Sequence, residues 1–532
     1  MTDRRVVSDG GRIELVDRLA LPGLLLLAAL LRLPDLATRG TWDGDQGHDM
    51  LVLRTLVRDG IVPLLGPPTS IGDVHHGAWY YYILSPAAAL TGGDSPLAVV
   101  LLIALAGIAA VGVVWWLARS IGGPVAGLVA GLVMATSTAA VDESTFIWNP
   151  NLIALSSAVA LAGAWQAWSG GDRRWWLVAA VGTAVTMQCH VLGIALLPIV
   201  AAPLIVDARR RSLGWVPVGI VAILVAAYAP LFVNELTTGF SELGAATEYL
   251  STGRQASEVA IPVRFGIVAL RVVSWPLTGL IVDGFAAGAL ATVVVIAIVV
   301  WRWRTDRDPE RFVVRWFGLG LLWSVAFLTI AAPGLAAVVR GLPNDHYHAF
   351  ADPMVFVLVG LGAAGLVREV RAPVGWAAAT AMVAALVAWN ITHLPPPVHP
   401  DGGFPAADRA AVRIDTALAN GGVGRDRASL LRSLPDFKST EAVAYPLVRI
   451  GRAVLAETPD GIAPGGGVAL PASPEGLVLL CDQLFRDAIG ADCGGPAESI
   501  VAPDAGGPDQ GVLLDRFEVA PGRWVSVYPP VD

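Results

Sequence analysis

The residues best suited to chemistry sit in one polar stretch behind the first apolar segment: Trp42-Asp43-Gly44-Asp45-Gln46-Gly47-His48-Asp49. Gly66-Pro67-Pro68-Thr69-Ser70 and His75-His76-Gly77-Ala78-Trp79-Tyr80-Tyr81-Tyr82 follow. A carboxylate at a membrane surface can take a proton from a polar acceptor. Asp45, at the start of a predicted amphipathic helix over 46–59, is the candidate base, although at that position it could equally serve as an N-cap. Asp43 and Asp49 are alternates, and either could bind a divalent cation together with Asp45. His48, His75 and His76 are candidate ligand contacts. Trp79 and Tyr80 offer flat faces for a sugar ring or an isoprenoid chain, whereas Tyr81 and Tyr82 equally suit interfacial anchoring.

Further candidates recur downstream. Asp142 and Glu143 are adjacent acids near a membrane boundary. Asn149 before Pro150 signals a helix start, which favours a capping role for it. His190 lies between two apolar segments, where an imidazole needs a partner or a ligand. His346 and His348 point the same way only in extended geometry, so metal binding there is weakly supported.

These residues are set in a chain whose composition excludes an ordinary soluble enzyme. Of 532 residues, 55% are hydrophobic and 15% charged, and the mean hydropathy is +0.62. Apolar runs long enough for transmembrane helices are read at 19–33, 97–118, 124–141, 151–168, 175–189, 191–206, 214–233, 284–301, 313–333, 353–367 and 374–392. The 266–283 segment is re-entrant or additional. A cleavable leader is disfavoured, because no small-residue cleavage site follows the first run. Arginines at the N-terminus and at 119, 173–174, 209–211, 302–315 and 368–371 then share one side, which the positive-inside rule makes cytoplasmic. All eight histidines fall on the other side.

The expected fold is an all-α polytopic membrane protein of about eleven transmembrane helices with a small extracytoplasmic α/β domain. Its parts are a cytoplasmic N-terminus (1–18), a multi-spanning domain (19–392, including a first outer loop over 34–96) and a C-terminal domain (393–532). In that last part helices are expected near 405–419 and 440–456, and strands near 476–480 and 523–528. Cys481 and Cys493, close together on an oxidising face, read as a disulfide. No basic stripe suggests nucleic acid, and Lys438 is the only lysine. Phosphate-cradling and dinucleotide-binding loops are absent from the sequence, as is zinc-type Cys/His spacing. An enzyme working outside the cytoplasm without nucleotide machinery needs an activated substrate on that face, and a lipid-phosphate-linked sugar meets this need.

The chain resembles the membrane GT-C glycosyltransferases, in the prokaryotic branch similar to protein O-mannosyltransferases and aminoarabinose transferases. The likeness covers roughly residues 15–395. It rests on Asp45-Gln46, where the family usually has Asp-Glu, and on the Gly66–Ser70 segment. It continues with Gly77 and Tyr80 to Tyr82, Trp148-Asn149-Pro150-Asn151, Gln188-x-His190, and His346-Tyr347 leading to Pro353. The resemblance implies inverting transfer of a sugar from a polyprenyl phosphate to a glycan, lipid or protein acceptor of the cell envelope, with Asp45 as base. It places the protein in the plasma membrane, among membrane lipids, with its active site and C-terminus outside. Gln46 cannot take a proton, so any second-carboxylate or metal role moves to Asp43, Asp49 or Asp142. Arg340, Arg264, Arg254 and the histidines are candidates for stabilising the departing phosphate. Two other classes compete. A transporter or flippase of lipid-linked sugars would carry polar residues through helix centres and related halves. A non-catalytic cell-envelope assembly protein would use the C-terminal domain for binding.

Overall fold

The computed structural model describes residues 19–69, 74–251, 259–281, 283–304, 307–336, 345–436, 438–458, 461–464, 475–498 and 513–529. Each of the eleven expected apolar runs is helical. They are α1 (Leu19–Arg32), α5 (Pro96–Gly122), α6 (Pro124–Thr136) with its continuation α7 (Thr138–Asp142), α8 (Ile153–Gly170), α9 (Trp175–Cys189), α10 (Leu196–Arg210), α11 (Val216–Thr238), α14 (Phe285–Arg302), α15 (Asp308–Ala331), α16 (Asp352–Glu369) and α17 (Ala372–Thr392). Proline opens many of them at the first or second position, where its missing N–H costs nothing. Left-handed glycines close others: Gly171 ends α8 at φ 80° and Gly239 ends α11 at φ 72°.

The undecided segment forms α13 (Ile261–Thr278). It joins eight of the others as one of nine described helices long and apolar enough to cross a membrane, with α1, α6 and α9 as shorter apolar helices. Its last turn is locked against the bundle. The Ser137 hydroxyl donates to the Pro276 carbonyl at 2.7 Å, and the Asn390 amide donates to that of Leu277 at 2.8 Å.

The two ends of the bundle differ chemically. At one end Glu310 accepts from Arg302 at 2.7 Å and from Arg368 at 2.5 Å, tying α14, α15 and α16. At the other stand α2 (Leu36–Arg39), α3 (Gly44–Asp59), the hairpin of β1 (Leu65–Pro68) and β2 (His75–Gly77), α4 (Trp79–Ala89) and α12 (Ser241–Ser251).

The C-terminal domain is docked on these polar elements. Its mixed sheet has the order β5-β4-β3-β6-β8-β7. The strands are β3 (Ser429–Leu434), β4 (Val454–Thr458), β5 (Gly461–Pro464), β6 (Leu477–Asp482), β7 (Asp515–Ala520) and β8 (Arg523–Tyr528). Packed with the sheet are α18 (Gly403–Asn420), α19 (Glu441–Arg449) and the short α20 (Arg486–Ile489). The helix expected over 440–456 is shorter and gives way to β4. The chain turns at Gly451 (φ 85°), and Val454 to Ala456 then pair in parallel with β3. Cys481 and Cys493 are bonded, with Cα atoms 5.7 Å apart.

Docking rests on Trp42, whose indole donates to the Ala442 carbonyl at 2.8 Å and packs edge-on against Phe404, and on Gly47. A Cβ on Gly47 would stand 2.0 Å from the Glu441 carbonyl oxygen, so only glycine lets α3 approach α19 this closely.

Candidate active site

The site is built on the first turn of α3. Asp43, not Asp45, is the N-cap. Its side chain accepts from the Gly44 N–H at 2.9 Å, and the Gln46 carbonyl accepts from the Asp43 N–H at 2.8 Å, completing a capping box. Gln46 is buried, and its amide also donates to the Ile147 carbonyl at 2.8 Å. It therefore positions backbone instead of binding a ligand. With capping assigned to Asp43, Asp45 is released and projects as the exposed residue of the turn.

Asp43 is further engaged by Lys438 at 3.1 Å and by Arg523 at 3.1 Å, both from the C-terminal domain. Burial works to raise its carboxyl, and the two cations override it, holding the group below the usual carboxylate range. Asp49 is buried and accepts from the Tyr80 hydroxyl at 2.6 Å and from that of Tyr81 at 2.9 Å. Burial lifts its carboxyl to about 7. Tyr80 is fully buried against this carboxylate and offers no face to a ligand. Tyr81 is likewise a hydrogen-bonding residue, while Tyr82 donates to the Pro63 carbonyl at 2.6 Å.

Asp45 differs from both. It accepts from the Trp148 side chain and has Lys438 and His48 as its cationic neighbours. Although its tip reaches solvent, the protein packed around it removes part of its hydration; that desolvation first, and the Asp43 carboxylate second, raise its carboxyl above the ordinary value. Such a group is a stronger base than a free aspartate.

Trp148 joins Asp45 to a cluster of rings. His346 lies 4.2 Å from Trp148 and 5.2 Å from His190, and His190 lies 4.7 Å from His76. Tyr347 stacks on His346 at 4.2 Å. Burial pushes His190 down to about 4, and burial with mutual repulsion pushes His76 and His346 well below the usual imidazole value. These rings are neutral, so none of the three supplies a cation for a departing phosphate. His76 accepts from the Val191 N–H at 3.2 Å, and His190 from that of Leu192 at 3.1 Å.

Other candidates fall elsewhere. His75, on the opposite face of β2 from His76, pairs with Glu242 of α12 at 2.8 Å. His348 pairs with Asp352 at 3.0 Å and Asp345 at 3.4 Å, not alongside His346, because 347–348 form a turn. Asn149 caps nothing: its amide crosses to the Cys189 carbonyl at 2.5 Å. Trp79 is half-buried, with its N–H directed to Gln188 at 3.4 Å. Asp142 has His399 and Arg39 as charged neighbours instead of the first-loop acids. Arg340 and Arg254 lie outside the described residues. Asp43 and Asp49 are committed to other partners, and no group of three His, Cys, Asp or Glu side chains among the described residues is arranged to hold a metal ion.

His48 illustrates what sequence reasoning missed. Its Nδ1 meets Glu441 at 2.9 Å. Burial alone would lower this imidazole, but Glu441 overrides it and raises it to about 9. The folded ring thus holds its proton more tightly than the unfolded chain, whose value is near 6.5. The pair stabilises fully below that value and is lost as pH rises through about 9. The melting temperature of the unmodified protein should therefore fall between those values, and Glu441→Gln should flatten that slope; equal slopes would show that the pair contributes nothing. Glu441, Lys438 and Arg523 were not read as site residues, and Trp148 entered only through the family-like Trp148–Asn151 segment; for Lys438 the signal was that it is the only lysine.

Comparison with known proteins agrees with this architecture. Residues 75–234 match the family model described as dolichyl-phosphate-mannose-protein mannosyltransferase. ArnT from Cupriavidus metallidurans in the apo state is similar over 96% of this chain and 97% of its own, at 13% identity and a TM-score of 0.57. The Archaeoglobus fulgidus oligosaccharyltransferase, in a complex with Zn and sulfate, is similar over 88% of this chain and 68% of its own, at 14% identity and a TM-score of 0.50. The search of curated proteins found no match. By fold, the chain is similar to ArnT over nearly its whole length, and its long apolar helices mark it as a multi-pass membrane protein.

Proposed function

We propose that the protein is an inverting glycosyltransferase that moves a sugar from a polyprenyl phosphate to a cell-envelope acceptor at the outer membrane face, with Asp45 as general base. One observation carries this reading. Of the three carboxylates in the Trp42–Asp49 stretch, Asp43 is committed to a cap and two cations and Asp49 to two tyrosines, whereas Asp45 is exposed and lies beside the ring cluster. In the reaction Asp45 takes the acceptor O–H proton and the acceptor oxygen attacks the anomeric carbon. The bond from that carbon to the phosphate oxygen breaks, and polyprenyl phosphate leaves with the electron pair. Arg264 of α13, half-buried with no hydrogen-bond partner for its Nε among the described residues, is the candidate cation for that phosphate.

The outer placement follows from charge. The arginine-rich end of the bundle is the cytoplasmic one by the positive-inside rule, leaving the histidines, Asp45 and the disulfide-bearing domain (393–532) outside. The family model that matches residues 75–234 names a polyprenyl-type phosphate donor, which supports the donor class. The test uses full-length protein in liposomes with a panel of polyprenyl-phosphate hexoses, pentoses and amino sugars and a cell-envelope acceptor fraction. Release of polyprenyl phosphate with inverted configuration at the transferred sugar is expected. Movement of intact lipid-linked sugar across the bilayer without release would identify a transporter instead.

A further inference from the structure

The α3 turn and the C-terminal domain meet through opposite charges. Lys438 Nζ lies 3.1 Å from Asp43, its charge also acts on Asp45, and its ammonium sits over the Phe485 ring at 4.9 Å. Phe485 belongs to the loop closed by Cys481 and Cys493. We propose that Lys438 is a positioning residue of the transfer site: carried in by the C-terminal domain, its ammonium compensates two neighbouring carboxylates so that Asp45 stays ionised and able to accept a proton.

The inference rests on the reading of Asp45 as base. Two aspartates two positions apart in one helical turn repel each other, and removing either from water makes its charge costlier. Asp43 can be held as an anion by Arg523, which is itself shared with Asp401 at 3.6 Å and Asp482 at 3.4 Å. Among the described residues Asp45 has no such arginine. The groups acting on it are the N-cap Asp43, His48 and the buried Asp49 of its own helix, Trp148 from the loop after α7, and Lys438 from the segment before α19. The charge of His48 is in turn taken up by Glu441. Among the described residues, Lys438 is thus the cation facing Asp45 whose charge no acid of the C-terminal domain answers; it is ion-paired with Asp43, the neighbour that opposes ionisation of Asp45.

The experiment is independent of the sugar. Full-length protein in detergent is labelled with a water-soluble carbodiimide and an amine, which mark protonated carboxyl groups, and labelling at Asp45 is followed against pH by mass spectrometry. Lys438→Met should raise the midpoint by about 1 pH unit, and Lys438→Arg should restore it. Asp43→Asn, which removes the opposing anion and leaves Lys438 in place, should lower it. The sign excludes a merely structural role: a lysine that only clamps the domain would, when removed, admit water to Asp45 and lower the midpoint. A midpoint that is unmoved or lowered in Lys438→Met overturns the proposal, as does an unmoved midpoint in Asp43→Asn. Asp45→Asn protein that still transfers sugar would overturn the catalytic reading while leaving these midpoints to decide the role of Lys438.

Discussion

Replacing Asp45 with Asn should lower sugar transfer by about 10²–10⁴-fold while leaving the protein folded. The amide keeps the size of the side chain and can still accept from Trp148, but it cannot take a proton. Folding should be spared because Asp45 is exposed and does not cap α3; that task belongs to Asp43 and Gln46. The rate constant at saturating donor and acceptor is the quantity to measure, with the melting temperature as control. A rate near that of the unmodified protein would remove Asp45 as base and leave Asp43, Asp45 and Asp49 without a catalytic member among them. The opposite pattern is expected at Asp49, where loss of the carboxylate strands two buried tyrosine hydroxyls.

The second large effect concerns stability. Gln46→Glu restores the residue type usual in the family that the sequence resembles, yet it should destabilise this protein by about 2–4 kcal/mol. Gln46 is 3% exposed and uses both ends of its amide: the oxygen accepts from Asp43 N–H and the nitrogen donates to the Ile147 carbonyl. An ionised glutamate keeps the first bond, loses the second, and sets an oxygen against a carbonyl oxygen beside three aspartates. Protonation would relieve this, so the folded-state value of the new carboxyl would lie above its unfolded value near 4.3. The penalty is then small at acid pH and grows as pH rises through the unfolded value. Thermal unfolding of the purified variant between pH 4 and 8 checks both size and sign. An unchanged melting temperature at pH 8 would mean that the Ile147 contact is worth nothing.

The helices were legible because a bilayer core demands long apolar runs, and such runs are hard to mistake. The α13 segment was ambiguous for the opposite reason: Arg264 and Arg271 interrupt its apolar face, and Arg271 is accommodated by distant partners, Asp345 at 2.6 Å, 74 residues away, and the Leu335 carbonyl at 2.5 Å. His76, His190 and His346 were legible as sharing one side with the other five histidines, but not as the three that gather, because His48, His75 and His348 are drawn off by acids distant or downstream in the chain. What could not be read was pairing across the chain. His48 meets Glu441 over a separation of 393 residues, and nothing local at either position announces the other. The assignment of the cap is a different kind of miss. Asp43-x-x-Gln46 is a capping-box spacing, so the information was present, but Asp45 was weighed as the cap instead.

The salt bridge between Asp43 and Arg523 spans 480 positions of the chain. During synthesis the first loop therefore emerges long before the arginine that completes its charge balance. Until β8 is made and the C-terminal domain docks on Gly47 and Trp42, Asp43 and Asp45 stand in open water without Lys438 or Arg523. The polypeptide thus carries its own delay: the candidate site is completed only after the membrane domain has been made, so a truncated or stalled chain displays the loop residues without the environment that tunes them.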